Sequence, residues 1–125
     1  MNNHGLSPRR RLRSFGYALR GLRLLLRGDN ARLQLAAAVL TALMAGWLHC
    51  SAGEWAVIVV CMGGVLAAEA LNTAIETLAD RISPHYDRAI GRAKDVAAAG
   101  VLLTAMAAAV AGALIFVPKL LRLWS

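Results

Sequence analysis

Hydrophobic and polar positions divide the chain into four segments. Over residues 9–27, Leu12, Phe15, Leu19, Leu22 and Leu26 recur at helical spacing, while Arg13, Arg20 and Arg27 share another face that Leu24 falls near. This pattern predicts an amphipathic helix on a membrane surface, its arginines toward lipid headgroups; the competing reading is a basic helix packed on protein. Gly28, Asp29 and Asn30 are expected to break that helix and cap the next. Residues 33–48 are apolar apart from Gln34 and Thr41. They predict a first transmembrane helix over about 30–49, with Arg32 snorkelling at one end and His49-Cys50 extending the other. Residues 51–53 read as a tight turn, flanked by Trp47 and Trp55 as at a membrane–water boundary. A second span is predicted over about 55–80. Residues 81–94 read as a polar connection, in which Pro84 stops the helix and Gly91 offers another break. Residues 96–117 are apolar except for Thr104 and rich in Ala and Gly, which favours close helix approach. They predict a third span over about 95–118, ended by Pro118. Residues 1–8 are polar and expected to be disordered.

The chain has 125 residues, enough for one domain, and is 58% hydrophobic, which excludes an ordinary soluble protein of this size. Eight of its fourteen Lys and Arg lie at or before Arg32, four lie within 81–94, and the turn at 51–53 has none. By the positive-inside rule the N-terminus and the 81–94 connection face the cytoplasm. The C-terminal tail, with Lys119 and Arg122, falls outside as a mild exception. The basic N-terminus suits anionic headgroups, and no aromatic-interleaved basic patch points to nucleic acid. Arg9-Arg10-Arg11 resembles the start of an export signal, but Arg13, Arg20, Arg23 and Arg27 interrupt any apolar run behind it. Cys50 and Cys61 form no metal-binding spacing, and His4 and His49 read as incidental.

The chemistry gathers in residues 69–80, EALNTAIETLAD, which follow fourteen uncharged residues. Glu69, Asn72, Thr73, Glu76 and Asp80 share one helix face, with Glu69 about 16 Å from Asp80 by helical rise. Carboxylates at membrane depth are costly and by default functional, although Asp80 and Glu76 could simply end the helix at the interface. Carboxylates and an amide are hard oxygen ligands suited to Mg²⁺, Lys94 beside Asp95 can bind phosphate, and a partly desolvated Glu69 can serve as a general base. These are parts for phosphoryl transfer to a lipid hydroxyl. A proton or cation pathway fits nearly as well, and a holin-like membrane protein is a third class.

The stretch EALNTAIETLAD followed by GRAKDVAAAGVLL resembles the small prokaryotic diacylglycerol kinase family, which includes undecaprenol kinases. The resemblance runs from about residue 14 to 120 and rests on E-x-x-N-[ST]-A-I-E-x-x-x-D with A-K-D at its usual distance. It implies an all-α membrane protein, a homotrimer of three-span subunits with an N-terminal surface helix, in the bacterial cytoplasmic membrane. It implies ATP as co-substrate, Mg²⁺ as cofactor, and a membrane lipid alcohol as acceptor at sites partly between subunits. Glu69 matches the family's base; Asn72, Glu76, Asp80, Lys94 and Asp95 match its metal- and nucleotide-binding or ordering residues. Asp29 stands nearest a family glutamate that shares metal with Glu76, one methylene shorter. Gln34 falls where a polar residue often sits, either near the lipid head or in a helix interface, and Tyr86 and Arg92 are candidates for nucleotide contact or for solvent and headgroups. The C-terminal LIFVPKLL leans toward the undecaprenol kinase branch, and Gly16-Tyr17 with Gly21-Leu22-Arg23 toward diacylglycerol kinase. Diacylglycerol is the expected acceptor and undecaprenol the alternative.

Overall fold

The computed structural model describes residues 7–125, so of the stretch expected to be disordered, residues 1–6 lie outside the described residues. The described residues form four helices: α1 (Pro8–Leu25), α2 (Asp29–Trp47), α3 (Ala52–Ile82) and α4 (Arg88–Leu123). Ser7 and Pro8 belong to α1: the Ser7 hydroxyl accepts from the Arg10 amide, and Pro8 occupies a first-turn position where no amide is needed. Most apolar side chains of α1, among them Leu12, Phe15 and Leu19, are exposed.

Each connection has a local cause. Asp29 lies in the first turn of α2, where a carboxylate complements the helix dipole, and Gly28 is the N-cap. At the other end of α2, the Cys50 amide donates to the Ala45 carbonyl (3.0 Å) and the His49 amide to Gly46 (3.3 Å). This is a Schellman stop, with His49 in the left-handed region at φ 54° where glycine is usual. Ser51 and Glu54 then form a capping box that starts α3: Ser51 accepts from the Glu54 amide, and Glu54 accepts from the Ser51 amide. The second long helix therefore begins at Ala52, three residues before the apolar run that marks it in sequence.

Three differences lie in α4. The polar connection is only residues 83–87, because Asp87 caps the Ile90 amide and starts α4 at Arg88. Gly91 is an interior helix position beside the Tyr86 ring and makes no break. Pro118 does not end α4, which continues to Leu123. A proline removes one helical hydrogen bond, and in apolar helices neighbouring groups tolerate that loss.

α3 and α4 pack as an antiparallel pair, and α2 packs on α3. A small core of Ala45, Ile58 and Phe116, joined by Leu48, Trp55, Met62 and Ile115, ties the C-terminal part of α2 to the start of α3 and the end of α4. Large apolar side chains such as Leu40, Leu43, Val60, Leu102 and Leu114 remain exposed. Apolar surface of that extent needs lipid or another protein against it. Among the described residues, α3 and α4 are long and apolar enough to cross a membrane. In α2, Asp29, Asn30, Arg32 and Gln34 crowd the first two turns and lower its mean hydropathy.

Candidate active site

α3 positions the polar face of residues 69–80 as a graded series. Glu69 and Asn72 are buried, at 6% and 7% exposure, and Glu76 and Asp80 are exposed. Two polar side chains so enclosed among apolar helices need partners. Glu69 finds one across the helix interface: the Gln34 amide of α2 donates through Nε2 to Glu69 Oε2 at 3.5 Å. Asn72 Nδ2 donates one turn along α3 to Glu76 Oε1 at 3.4 Å. At the far end, Lys94 of α4 donates through Nζ to Asp80 Oδ1 at 2.7 Å. The pair locks the end of α3 to the first turns of α4, so Lys94 reaches the carboxylate series although it lies fourteen residues from Asp80 in the chain.

Among the described residues, two buried side-chain oxygens are left without a partner, Gln34 Oε1 and Asn72 Oδ1. Leaving a buried acceptor unmade costs about 1–3 kcal/mol, and such atoms mark places where a ligand group can complete the bonding. Asn72 touches the Glu76 carboxylate through Nδ2, so the two residues bring an amide and a carboxylate together from adjacent turns. Mg²⁺ is held through one or two carboxylates together with water and substrate phosphates, and this donor set fits it. Asp29 is exposed in the first turn of α2, and no hydrogen bond or ion pair among the described residues joins it to the α3 series. Nor does any group of three or more His, Cys, Asp or Glu gather among the described residues. Asp95 is exposed and likewise unpaired there, so the structure brings Lys94 but not Asp95 into direct contact with the α3 series.

Gln34 also heads an apolar groove of about 400 Å³ between α2, α3 and α4, whose walls include Val65, Leu66, Ala105 and Ala108. The site therefore joins two media. Its deep end is a buried carboxylate bonded to Gln34, which lines a groove suited to hydrocarbon, and its outer end is an exposed ion pair suited to water-borne phosphate. The Gln34–Glu69 contact is the feature that sequence reading does not supply. Gln34 stands out as polar in an apolar run, but its partner depends on how α2 and α3 are aligned.

Comparison with known proteins agrees with this arrangement. Residues 16–116 match the family described as prokaryotic diacylglycerol kinase. The chain is 36% identical to an undecaprenol kinase of Bacillus subtilis, over 94% of this chain and 97% of the relative. It is 34% identical to a diacylglycerol kinase of Escherichia coli K12, over 88% of this chain and 91% of that protein. A diacylglycerol kinase of Synechocystis is 40% identical over 69% of this chain and 49% of its own length.

Proposed function

The chain belongs to the prokaryotic diacylglycerol kinase family and is thus a lipid kinase; from that premise we propose that it transfers the γ-phosphoryl group of ATP to the hydroxyl of diacylglycerol, making phosphatidic acid. The observation that carries the geometry is Glu69, buried and bonded to Gln34, a residue that itself lines the apolar groove. A lipid alcohol entering from the bilayer brings its hydroxyl to the one carboxylate of the series that water does not flood. Glu69 accepts the hydroxyl proton as the lipid oxygen bonds to the γ-phosphorus, the bond from that phosphorus to the bridging oxygen breaks, and ADP leaves.

The outer residues serve the nucleotide. Lys94, held by Asp80, presents ammonium donors to phosphate, and Asp95 and Asn72 help position the nucleotide and order the site. Glu76 and Asp29 would hold Mg²⁺, which when bound neutralises charge on the phosphates. Positioning and charge neutralisation account for most of the catalysis in such a site. The assembly we assign is a homotrimer of three-span subunits, α2 being the first span and α1 lying on the surface. It sits in the bacterial cytoplasmic membrane with the N-terminus and the α3–α4 connection cytoplasmic, as the distribution of Lys and Arg supports.

Undecaprenol is the second reading, favoured by the Bacillus subtilis relative, which matches over nearly its whole length. The test supplies purified protein in detergent micelles with labelled ATP and Mg²⁺, and diacylglycerol and undecaprenol in parallel. Label in phosphatidic acid, absent with the Glu69→Gln variant, is expected. Label in undecaprenyl phosphate alone transfers the assignment to the second lipid, and label in neither, from folded protein, removes both.

A further inference from the structure

At the end of the helices opposite Asp80 and Lys94 lies a second pocket of about 350 Å³, formed by Trp47, Leu48, His49, Lys119, Arg122 and Leu123. Its chemistry is unlike that of the proposed active site. Among the described residues, Glu54 is the acidic side chain paired at this end; the next acidic residue along α3, Glu69, is about 22 Å away by helical rise. Glu54 Oε1 accepts from the Ser51 amide at 2.9 Å and from Lys119 Nζ at 3.0 Å, so that oxygen is already shared. A lysine carries three donors and an arginine five. Lys119 commits one to Glu54, and the Arg122 guanidinium makes no hydrogen bond or ion pair among the described residues. Lys119 and Arg122 stand three residues apart on α4, a spacing that puts both on one face. The pocket is thus rich in donors, and no acidic side chain is among the residues that line it.

Its position gives those donors a purpose. These two residues are the exception to the distribution of Lys and Arg, which otherwise concentrates at the other end of the helices. Trp47, at 66% exposure, and Leu48 and Leu123 give the pocket an apolar wall beside its basic one. A tryptophan at the headgroup level, next to paired cations, matches an amphiphile with an anionic head better than a free ion. We propose that this pocket binds a phosphate group carried by an anionic phospholipid of the leaflet that meets this end of the bundle.

The test uses the full chain in nanodiscs, with Trp55→Phe and Trp124→Phe leaving Trp47 as the one tryptophan. Phosphatidylcholine nanodiscs receive increasing fractions of acyl-brominated phosphatidylglycerol or of equally brominated phosphatidylcholine. Expected is saturable quenching of Trp47, several-fold stronger with phosphatidylglycerol, lost in Arg122→Gln and retained in Arg122→Lys. Arg81→Gln, which removes one charge at the other end of α3, is expected to keep the preference. Equal quenching by both lipids overturns the proposal, as does a preference that Arg122→Gln leaves intact or that Arg81→Gln removes equally. A third arm adds inorganic phosphate against chloride of equal ionic strength. Loss of the preference with phosphate alone overturns the lipid as the source and assigns the pocket to the free anion. The readout is quenching, so failure here leaves the kinase assignment untouched.

Discussion

Single residues carry the chemistry here through burial as much as through type. Glu69, Glu76 and Asp80 are the same functional group, yet only Glu69 is shut away from water and held by an amide from another helix. That separates a proton acceptor from residues that face the nucleotide. Glu69→Gln keeps the shape and the contact to Gln34 while removing the basic oxygen. Turnover is expected to fall by roughly 10²–10⁴, the usual worth of a general base. Nucleotide binding, measured by equilibrium dialysis, is expected to change little; equal losses in both would remove Glu69 from the role of base. His49 offers a stability prediction at the same scale. It stands at φ 54°, where a Cβ costs an ordinary residue about 1–2 kcal/mol. His49→Gly is expected to stabilise the protein by about 1 kcal/mol, and His49→Val to destabilise it, in thermal unfolding followed in micelles.

Elements explain which features the sequence makes legible. A break such as Gly28 before α2 is readable, and so is the long apolar run in α4; residues 51–53 read as a tight turn, yet Ser51 and Glu54 form a capping box and residues 52 and 53 are already helical. Local signals mislead where a neighbour compensates. Pro118 reads as a stop, yet α4 runs on through it, with Lys119 paired to Glu54 of α3 one residue later. Asp87 reads as loop polarity but is the cap that adds seven residues ahead of the expected start at 95. Pairs between helices are the least legible, since Gln34 meets Glu69 across 35 residues. Asp80 and Lys94 are each legible as candidates in the sequence, but their 2.7 Å pairing depends on how α3 and α4 align. α1 remains the element whose surroundings the isolated chain does not supply, its leucines exposed on one side and its arginines on another. Nitroxide labels at Leu19 and Arg20 test its place on the membrane. In bilayers the label at position 19 is expected to collide mainly with dissolved oxygen, and that at position 20 with a water-soluble nickel chelate. Equal collision profiles would mean that α1 is not seated at the interface.

At the scale of the molecule, one chain leaves both its apolar surface and its proposed metal set incomplete. Only a small core closes α2, α3 and α4 together, and exposed leucines and valines line much of the helices. Lipid can cover that surface, but it does not bring the Asp29 carboxylate to Glu76. Asp29 lies in the first turn of α2 without contact to Glu76, and no acidic group of three forms within the described residues. Both facts have one solution if Asp29 of one copy approaches Glu76 of another in a closed cyclic assembly. Mixing separates this arrangement from a site made within one chain. Glu69→Gln and Asp29→Ala variants, each expected to be inactive alone, are unfolded, combined in equal amounts and refolded in micelles. If residues 69 and 29 of each site come from different subunits, random assembly makes about a quarter of the sites intact, and a corresponding share of activity returns. If they come from the same subunit, every site carries one lesion and the mixture stays inactive. An Asp29→Ala variant that is fully active alone would instead remove Asp29 from the metal set, and Glu76 with Asn72 and the nucleotide phosphates would suffice.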